Sequence, residues 1–302
     1  MTQRNPGMDH ALYPFSMLPA RPALTWPDGA RLALGLVVHF DYWEIDPPDD
    51  AVTDPRFRDT FGAFRPDQRS YAWREYGNRI GIFRLMEVLD RHGMTATLAA
   101  GTAAIARAPQ VIEAALSRGW EVAAHGDYAT RMISSAMSEV AEAELIDHSV
   151  QVITAATGQR PTGWIGQDYG QSTRTPALLA QAGFRYLSDW PNDDQPYLMT
   201  TTPPILSIPV QAELDDVQLL WHRRVLTPRY PDLVMAAADV LLSEGGRSLV
   251  LGLHPWLFGM PHRIHYLDAT LARLAQAAGI WQAPLARVAD HVFSAFDKGR
   301  PA

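Results

Sequence analysis

Short apolar runs alternate with longer stretches of helical periodicity along most of the chain. The run RLALGLVV at residues 31–38 is continuously apolar, which is typical of a parallel strand covered on both faces. In NRIGIFRLMEVLDRHG, apolar residues recur at i, i+3, i+4 and i+7 from Ile82, and Gly93 follows where a helix C-cap glycine is expected. This pattern predicts a strand and then a helix.

The alternation of a strand with a glycine-terminated helix continues, and no linker rich in proline, glycine or serine separates the units. The chain has about seven such units, and this alternation is typical of a parallel sheet built from βα repeats. Further strands are predicted at ILSIPV (205–210) and VQLLWH (217–222). We therefore predict an α/β protein with one (β/α) barrel over residues 25–302, after an N-terminal arm at residues 1–24. An open doubly wound sheet is the alternative.

One long stretch, residues 43–77, has neither helical nor strand periodicity and mixes aromatic residues with charges of both signs. Loops of this length in a compact domain usually serve a function. We expect a functional loop here, for example a lid.

Composition narrows the classes of function. The net charge is −7 and the 26 lysines and arginines are spread along the chain, which argues against nucleic-acid binding and favours a small neutral or weakly polar substrate. There is no cysteine, so thiol catalysis and thiolate metal sites are excluded, and His, Asp and Glu are the expected ligands for any metal. Because no signal pattern or long apolar run is present, we expect a cytoplasmic protein without a membrane partner.

Polar residues end several of the predicted strands, where parallel barrels place their active sites. Neighbouring residues of a strand point to opposite faces, so His39 and Asp41, two positions apart, project together. Residues of this kind are His39, Asp41, His125, Asp189, Glu213, Asp215 and His254. We expect His39, Asp41, His125, Asp189 and His254 to meet at one rim.

The order of these motifs, from LALGLVVHFD through WEVAAHG and TGWIG to LVLGLHPW, resembles the polysaccharide deacetylase (NodB-homology) superfamily. The resemblance covers roughly residues 25–295 and implies a distorted (β/α) barrel with about seven parallel strands. WREYGNRIG, DWPNDDQPY and LHPWLFGMPHRIHYLD look like the branch that contains the metal-independent allantoinase and cyclic imide hydrolases. That branch implies a homo-oligomer acting on a small molecule.

The sequence departs from the metal-dependent members of the family. Those members use an aspartate and two histidines in the spacing H-x-x-x-H, but here His125 is followed four residues later by Ala129. Asp41 keeps one member of the family's aspartate pair, while His39 or Tyr42 stands where the other would be. WIGQDYG replaces the usual arginine-proline motif. The standard metal site is therefore expected to be incomplete, and no cofactor is predicted.

We therefore predict a hydrolase of carbon–nitrogen bonds other than peptide bonds, which opens a small cyclic amide, imide or ureide by acid–base activation of water. Asp41 or His39 would be the base, and His125 and His254 would be electrophilic or acid partners. The expected substrate-binding residues are Glu75, Tyr76, Trp164, Gln167, Asp189 and Trp256.

Two alternatives remain open. In the first, Asp41, His125 and His39 hold a divalent metal such as zinc, and the protein is a metal-dependent N-deacetylase of a sugar or small amide. In the second, the barrel binds a ligand without turning it over, as a decayed enzyme would. Candidate acid–base residues at several strand ends argue against the second.

Overall fold

The structure is a computed structural model that describes residues 10–22, 24–49, 51 and 65–298. The start of the predicted N-terminal arm, part of the predicted loop at 43–77 and the last four residues lie outside the described residues. No helix in the described part is both long and apolar enough to cross a membrane.

Nine strands occur within the described residues. They are β1 (Leu32–Phe40), β2 (Thr97–Ala100), β3 (Glu121–Ala124), β4 (Gly163–Trp164), β5 (Tyr186–Leu187), β6 (Tyr197–Leu198), β7 (Leu206–Ser207), β8 (Arg247–Leu253) and β9 (Ile280–Gln282).

The same described residues form ten α-helices. They are α1 (Gln68–Tyr76), α2 (Ile82–Arg91), α3 (Thr102–Arg107), α4 (Pro109–Ser117), α5 (Glu139–Thr157), α6 (Thr175–Gln181), α7 (Tyr230–Glu244), α8 (Pro255–Phe258), α9 (Ile264–Gln276) and α10 (Leu285–Lys298). Two wider, π-helical turns are present at Gly77–Gly81 and Val217–His222, and one 3-10 turn at Gln167–Tyr169 borders the site described below.

The strands form one curled sheet in the order β6-β7-β5-β4-β3-β2-β1-β8, with β9 also paired to β1. Every strand pair is parallel except β6 with β7. Hydrogen bonds outside the strands link the two ends of the sheet. The amide of Gln211 donates to the carbonyl of Val250 at 3.2 Å, and the amide of Ser248 donates to the carbonyl of Asp194 at 2.8 Å. The predicted distorted barrel, in one domain, is confirmed.

Burial follows the predicted pattern. All nine residues of β1 are buried, since the strand has the barrel interior on one side and helices on the other. The long helix α5 begins where the Ser138 hydroxyl accepts a hydrogen bond from the amide of Ala141, and it ends at Gly158, whose φ of 72° suits glycine.

Two element predictions were wrong. Residues 217–222 are helical because the Asp215 carboxylate accepts hydrogen bonds from the amides of Val217, at 2.9 Å, and Gln218, at 3.2 Å, which starts a helical turn. Part of the stretch predicted to be irregular is helix α1, which Asp67 caps by accepting from the amide of Ser70 at 3.0 Å. Its mixed charged and aromatic sequence conceals the helical period.

Residues 10–22 pack on the segment that follows β5. The carbonyl of Leu12 accepts a hydrogen bond from the amide of Thr200 at 2.8 Å. The ring of Tyr13 packs edge-on against Trp190 and Tyr197, with centroids 5.7 and 5.2 Å apart. This part of the predicted arm is therefore in contact with the barrel, and the domain boundary at residue 24 stays a prediction.

A close backbone contact joins the wide turn Gly77–Gly81 to α8. A Cβ on Gly81 would lie 2.1 Å from the carbonyl oxygen of Pro255, and one on Gly77 would lie 2.5 Å from the amide nitrogen of Trp256. Glycine is required at both positions because any side chain would push the two segments apart.

We expect Gly81→Ala to lower the free energy of unfolding by about 1–3 kcal/mol, because the added methyl group must displace α8. Chemical denaturation of the variant and the parent protein measures this. Ile80→Ala is a suitable control, since Ile80 is exposed on the same turn. Equal stability of Gly81→Ala and the parent would show that the contact can relax.

Candidate active site

The carboxyl ends of β1, β3 and β8 and the turn after β4 surround a cleft of about 490 Å³, counting space open to solvent. This is the end of a parallel barrel at which catalytic groups gather. Its lining includes His39, Asp41, His125, Gln167, Asp215 and His254, together with the indoles of Trp43 and Trp256. Four of the five side chains expected to meet at one rim thus reach this cleft, and so does Asp215.

Three of these side chains form a chain of contacts on the cleft floor. Nε2 of His125 lies 2.9 Å from Oδ1 of Asp41 and 3.2 Å from Nδ1 of His39. Nδ1 of His125 contacts the carbonyl oxygen of Ile165, which can only accept, so this nitrogen carries a proton. His125 is therefore oriented with Nε2 toward Asp41 and His39.

Electrostatics set the charges of His39, in β1, and of Asp41, which directly follows β1. Burial lowers the pKa of His39 well below its usual value, and repulsion from His254 and His125 lowers it further. Burial alone would raise the pKa of Asp41, but the His125 and His254 rings outweigh burial and lower it. At neutral pH His39 is therefore neutral and Asp41 is a carboxylate.

His254 forms a second pair, with Asp216. Nδ1 of His254 lies 2.7 Å from Oδ1 of Asp216, and the His254 amide donates to Oδ2 at 2.8 Å. Burial would lower the pKa of His254, but Asp216 and then Asp215 outweigh burial and raise it to about 9. His254 is therefore an imidazolium at neutral pH, and its ring stacks on that of His39 with centroids 4.0 Å apart.

Asp215 reaches the cleft because β8 has a glycine opposite it. A Cβ on Gly252 would lie 2.3 Å from Oδ2 of Asp215, so a larger residue would displace this carboxylate. The hydroxyl of Tyr169 donates to the same oxygen at 2.9 Å. In the sequence Asp215 followed an apolar run as a strand-end residue without an assigned role, and Asp216 and Tyr169 were missed. Two consecutive aspartates after an apolar run were the available signal for the carboxylates.

The turn after β4 is held under strain next to the cleft. Asp168 and Tyr169 both have positive φ, 45° and 58°, which is unusual for residues other than glycine. Gln167 donates from Nε2 to the carbonyl of His125 at 2.7 Å. Asp189 accepts from the amide of Gly166 at 2.6 Å, and burial raises the pKa of Asp189 to about 6. Asp189 thus holds this turn and does not line the cleft.

The other predicted substrate-binding residues are placed differently. Gln167 and Trp256 line the cleft. Glu75 lies beside a hollow next to Asp41 and pairs with Arg107 at 3.3 Å. Tyr76 instead bonds through its hydroxyl to Arg84.

The prediction that Trp164 binds substrate is corrected, because its side chain is buried in the hydrophobic core, edge-on to Phe184. It lies in a strand of two residues, and adjacent residues of a strand point to opposite faces. A side chain in so short a strand cannot be assigned to a face by alternation.

The residues His39, Asp41 and His125 suit a divalent metal. Their ligand atoms lie within 4.8 Å of one another. Bonds of about 2.1 Å to a tetrahedral zinc ion would place ligand atoms about 3.4 Å apart, somewhat more than the two contacts observed here. Ala129 lines the same cleft, so the position that lacks the second family histidine faces the site, and His39 supplies a nitrogen from β1.

A second group, His39, Asp215 and His254, has ligand atoms equally close together. It suits a metal less well, because the His39 and His254 rings are nearly parallel, with an angle of 4° between their planes. Nitrogen lone pairs lie in the ring plane, so those of two stacked rings do not converge on one ion. Asp216 also occupies Nδ1 of His254.

Comparisons with known proteins agree with this fold. Residues 77–187 match the family model for polysaccharide deacetylase. The structure of a probable polysaccharide deacetylase from Pseudomonas aeruginosa PAO1 is 26% identical, with a TM-score of 0.80 and coverage of 93% of this chain and 96% of that one. The structure of PuuE allantoinase is 25% identical, with a TM-score of 0.80 and coverage of 91% and 94%.

A peptidoglycan deacetylase from Helicobacter pylori is 27% identical over 192 residues, which are 63% of this chain and 64% of that protein. The match to the family model lies within the curled barrel, from the wide turn before α2 to the end of β5. Residues 77–187 therefore match a polysaccharide deacetylase (NodB-homology) domain, and the chain as a whole is similar in fold to a polysaccharide deacetylase and to the allantoinase.

Proposed function

We propose that the protein hydrolyses carbon–nitrogen bonds other than peptide bonds and opens a small cyclic amide, imide or ureide. One observation carries this proposal: the Asp41–His125 pair and the cationic His254, held by Asp216, line the same cleft. An anionic base and a cationic acid in one cleft are what amide hydrolysis by side chains requires.

Asp41 is assigned as the base. As a buried carboxylate it can accept a proton from a water molecule that attacks the carbonyl carbon, and Nε2 of His125, 2.9 Å away, stabilises the carboxylate when it carries a proton. A new carbon–oxygen bond forms while the carbonyl oxygen gains negative charge. Neutral His39 is the second candidate for the base.

His254 is assigned as the electrophile and acid. Its imidazolium can stabilise the oxygen on which negative charge develops, and it can donate a proton to the leaving nitrogen as the carbon–nitrogen bond breaks. Asp216 keeps Nδ1 of His254 engaged, so Nε2 is the nitrogen available for this transfer. In a cyclic substrate both ends of the broken bond stay in one product.

The lining of the cleft supports a small substrate. Indole rings lie beside a few convergent polar groups, which suits a compact ring. The similarity to an allantoinase supports the same class of substrate. The cytoplasmic location and the homo-oligomer expected from the sequence remain predictions.

A metal-dependent N-deacetylase is the second candidate, and the close spacing of His39, Asp41 and His125 favours it. A divalent ion held by these residues would polarise the substrate carbonyl and acidify a water molecule. The other cleft residues would keep their roles: His254 would still donate a proton to the leaving nitrogen.

The test combines metal analysis with substrate assays. Protein washed with chelator is assayed on allantoin, hydantoin, dihydrouracil, succinimide and an N-acetylated sugar, and its metal content is measured by mass spectrometry. Turnover of a cyclic substrate by metal-free protein is the expected result. Activity on the sugar that follows metal content would support the deacetylase instead. No turnover of any substrate, with or without metal, would favour a barrel that only binds a ligand.

A further inference from the structure

A buried arginine lies behind the wall of the cleft. Arg74 of α1 is 5% exposed, and its guanidinium carbon is 4.1 Å from the ring centre of Trp43 and 5.1 Å from that of Trp256. Both distances are within the range of cation–π contacts. One guanidinium therefore contacts the two tryptophans that line the cleft.

The positions of these tryptophans in the chain connect Arg74 to the reacting groups. Trp43 comes two residues after Asp41, in the loop that follows β1, and Trp256 comes two residues after His254, in α8. The assigned base and the assigned acid thus belong to separate segments whose tryptophans contact the same side chain. In the described structure Arg74 bridges these two segments.

The surroundings of Arg74 make this bridge rigid. The Arg74 guanidinium also donates to the carbonyl of Ser70 at 3.2 Å, within α1. Trp256 packs edge-on against Trp221, with centroids 5.4 Å apart, and Trp221 packs against Trp73 at 4.7 Å. The close contact of Gly77 with Trp256 fixes the end of α1 against α8. The indoles consequently have little freedom to move away from the guanidinium.

We propose that Arg74 is a positioning residue that sets the separation of Asp41 and His254 through Trp43 and Trp256. This proposal rests on the proposed function for the roles of Asp41 and His254. A planar guanidinium can stack on an indole face, whereas the compact ammonium of lysine cannot reproduce that geometry. Arginine, and not merely a positive charge, is therefore required.

The test compares Arg74→Ala and Arg74→Lys with the parent protein. We expect kcat to fall by about 10–100-fold in both, with a smaller change in KM, because misplacement of reacting groups by about 1 Å has costs of this size. Guanidinium at low millimolar concentration should restore part of the activity of Arg74→Ala and none of that of Arg74→Lys. Arg79→Ala, an exposed arginine in the adjoining turn, is the control and should behave as the parent.

Near-ultraviolet circular dichroism supplies a readout that needs no substrate. We expect the tryptophan signal to change in both Arg74 variants, and to recover with guanidinium in Arg74→Ala. If the parent turns over no substrate, the proposed function fails while this signal still tests whether Arg74 holds the indoles. Parental kcat or an unchanged tryptophan spectrum in a folded Arg74 variant would overturn the proposal.

Discussion

Asp41→Asn is expected to lower kcat/KM by about 10²–10⁴-fold, the usual contribution of a general base. Asparagine keeps the shape of the side chain but cannot take up a proton from water. Because the pKa of Asp41 is lowered in the folded protein, the parent enzyme should keep its base ionised throughout the neutral range. Steady-state kinetics on the substrate that the proposed assays identify measures the loss.

A surface aspartate gives the matched control for this experiment. Asp232 in α7 is exposed and pairs with Arg273 at 2.8 Å, so Asp232→Asn should leave kcat/KM unchanged. Parental turnover in Asp41→Asn would remove Asp41 from the mechanism and leave His39 as the candidate base. The metal content of Asp41→Asn separates loss of a base from loss of a metal ligand.

Asp216→Asn is expected to change the pH dependence of the reaction. In the parent protein Asp216 is the strongest influence raising the pKa of His254, so the acid stays protonated until the pH rises through about 9. Without this carboxylate the burial of His254 should lower its pKa, and the alkaline limit of activity should move to lower pH. At a pH above the alkaline limits of both the parent and the variant, each pH unit by which the variant's limit is lowered reduces its rate by about tenfold.

Kinetics as a function of pH and a titration of the His254 ring by nuclear magnetic resonance test this expectation together. Asp232→Asn again serves as the control, because its carboxylate is exposed and pairs with Arg273. If the alkaline limit stays near pH 9 in Asp216→Asn, another group must be the acid. If the resonance shifts and the kinetic limit does not, His254 titrates as expected but does not donate the proton.

The rim could be predicted from the sequence because it depends on local features. Parallel strands end at a common edge, so the polar residues at the ends of β1, β3 and β8 had to lie near one another. His39, Asp41, His125 and His254 were found in this way. The hydrogen-bond partners of these residues could not be predicted in the same way, since the contact of His254 with Asp216 joins residues 38 positions apart.

The missed residues lie where local patterns were misleading. Asp216 precedes a helical turn whose apolar residues were predicted to form a strand. Asp215 and Asp216 were therefore placed at the end of a loop, and Asp216 was given no role. Arg74 stands in a helix without a clear apolar stripe, and only the packing of two distant tryptophans shows its burial. Trp164 shows the opposite failure, since a tryptophan beside a predicted rim was taken for a binding residue and is part of the core.

The pairing of β1 has a consequence for the synthesis of the protein. Among the strands of the described residues β1 is translated first, but along its length it pairs with β2, β8 and β9, and the last two lie more than 200 residues later. Pairing between segments so far apart in sequence is slow to form. The parts of β1 that pair with β8 and β9 therefore stay unpaired in the nascent chain until those two strands have been translated, and exposed apolar strands of this kind are prone to aggregation.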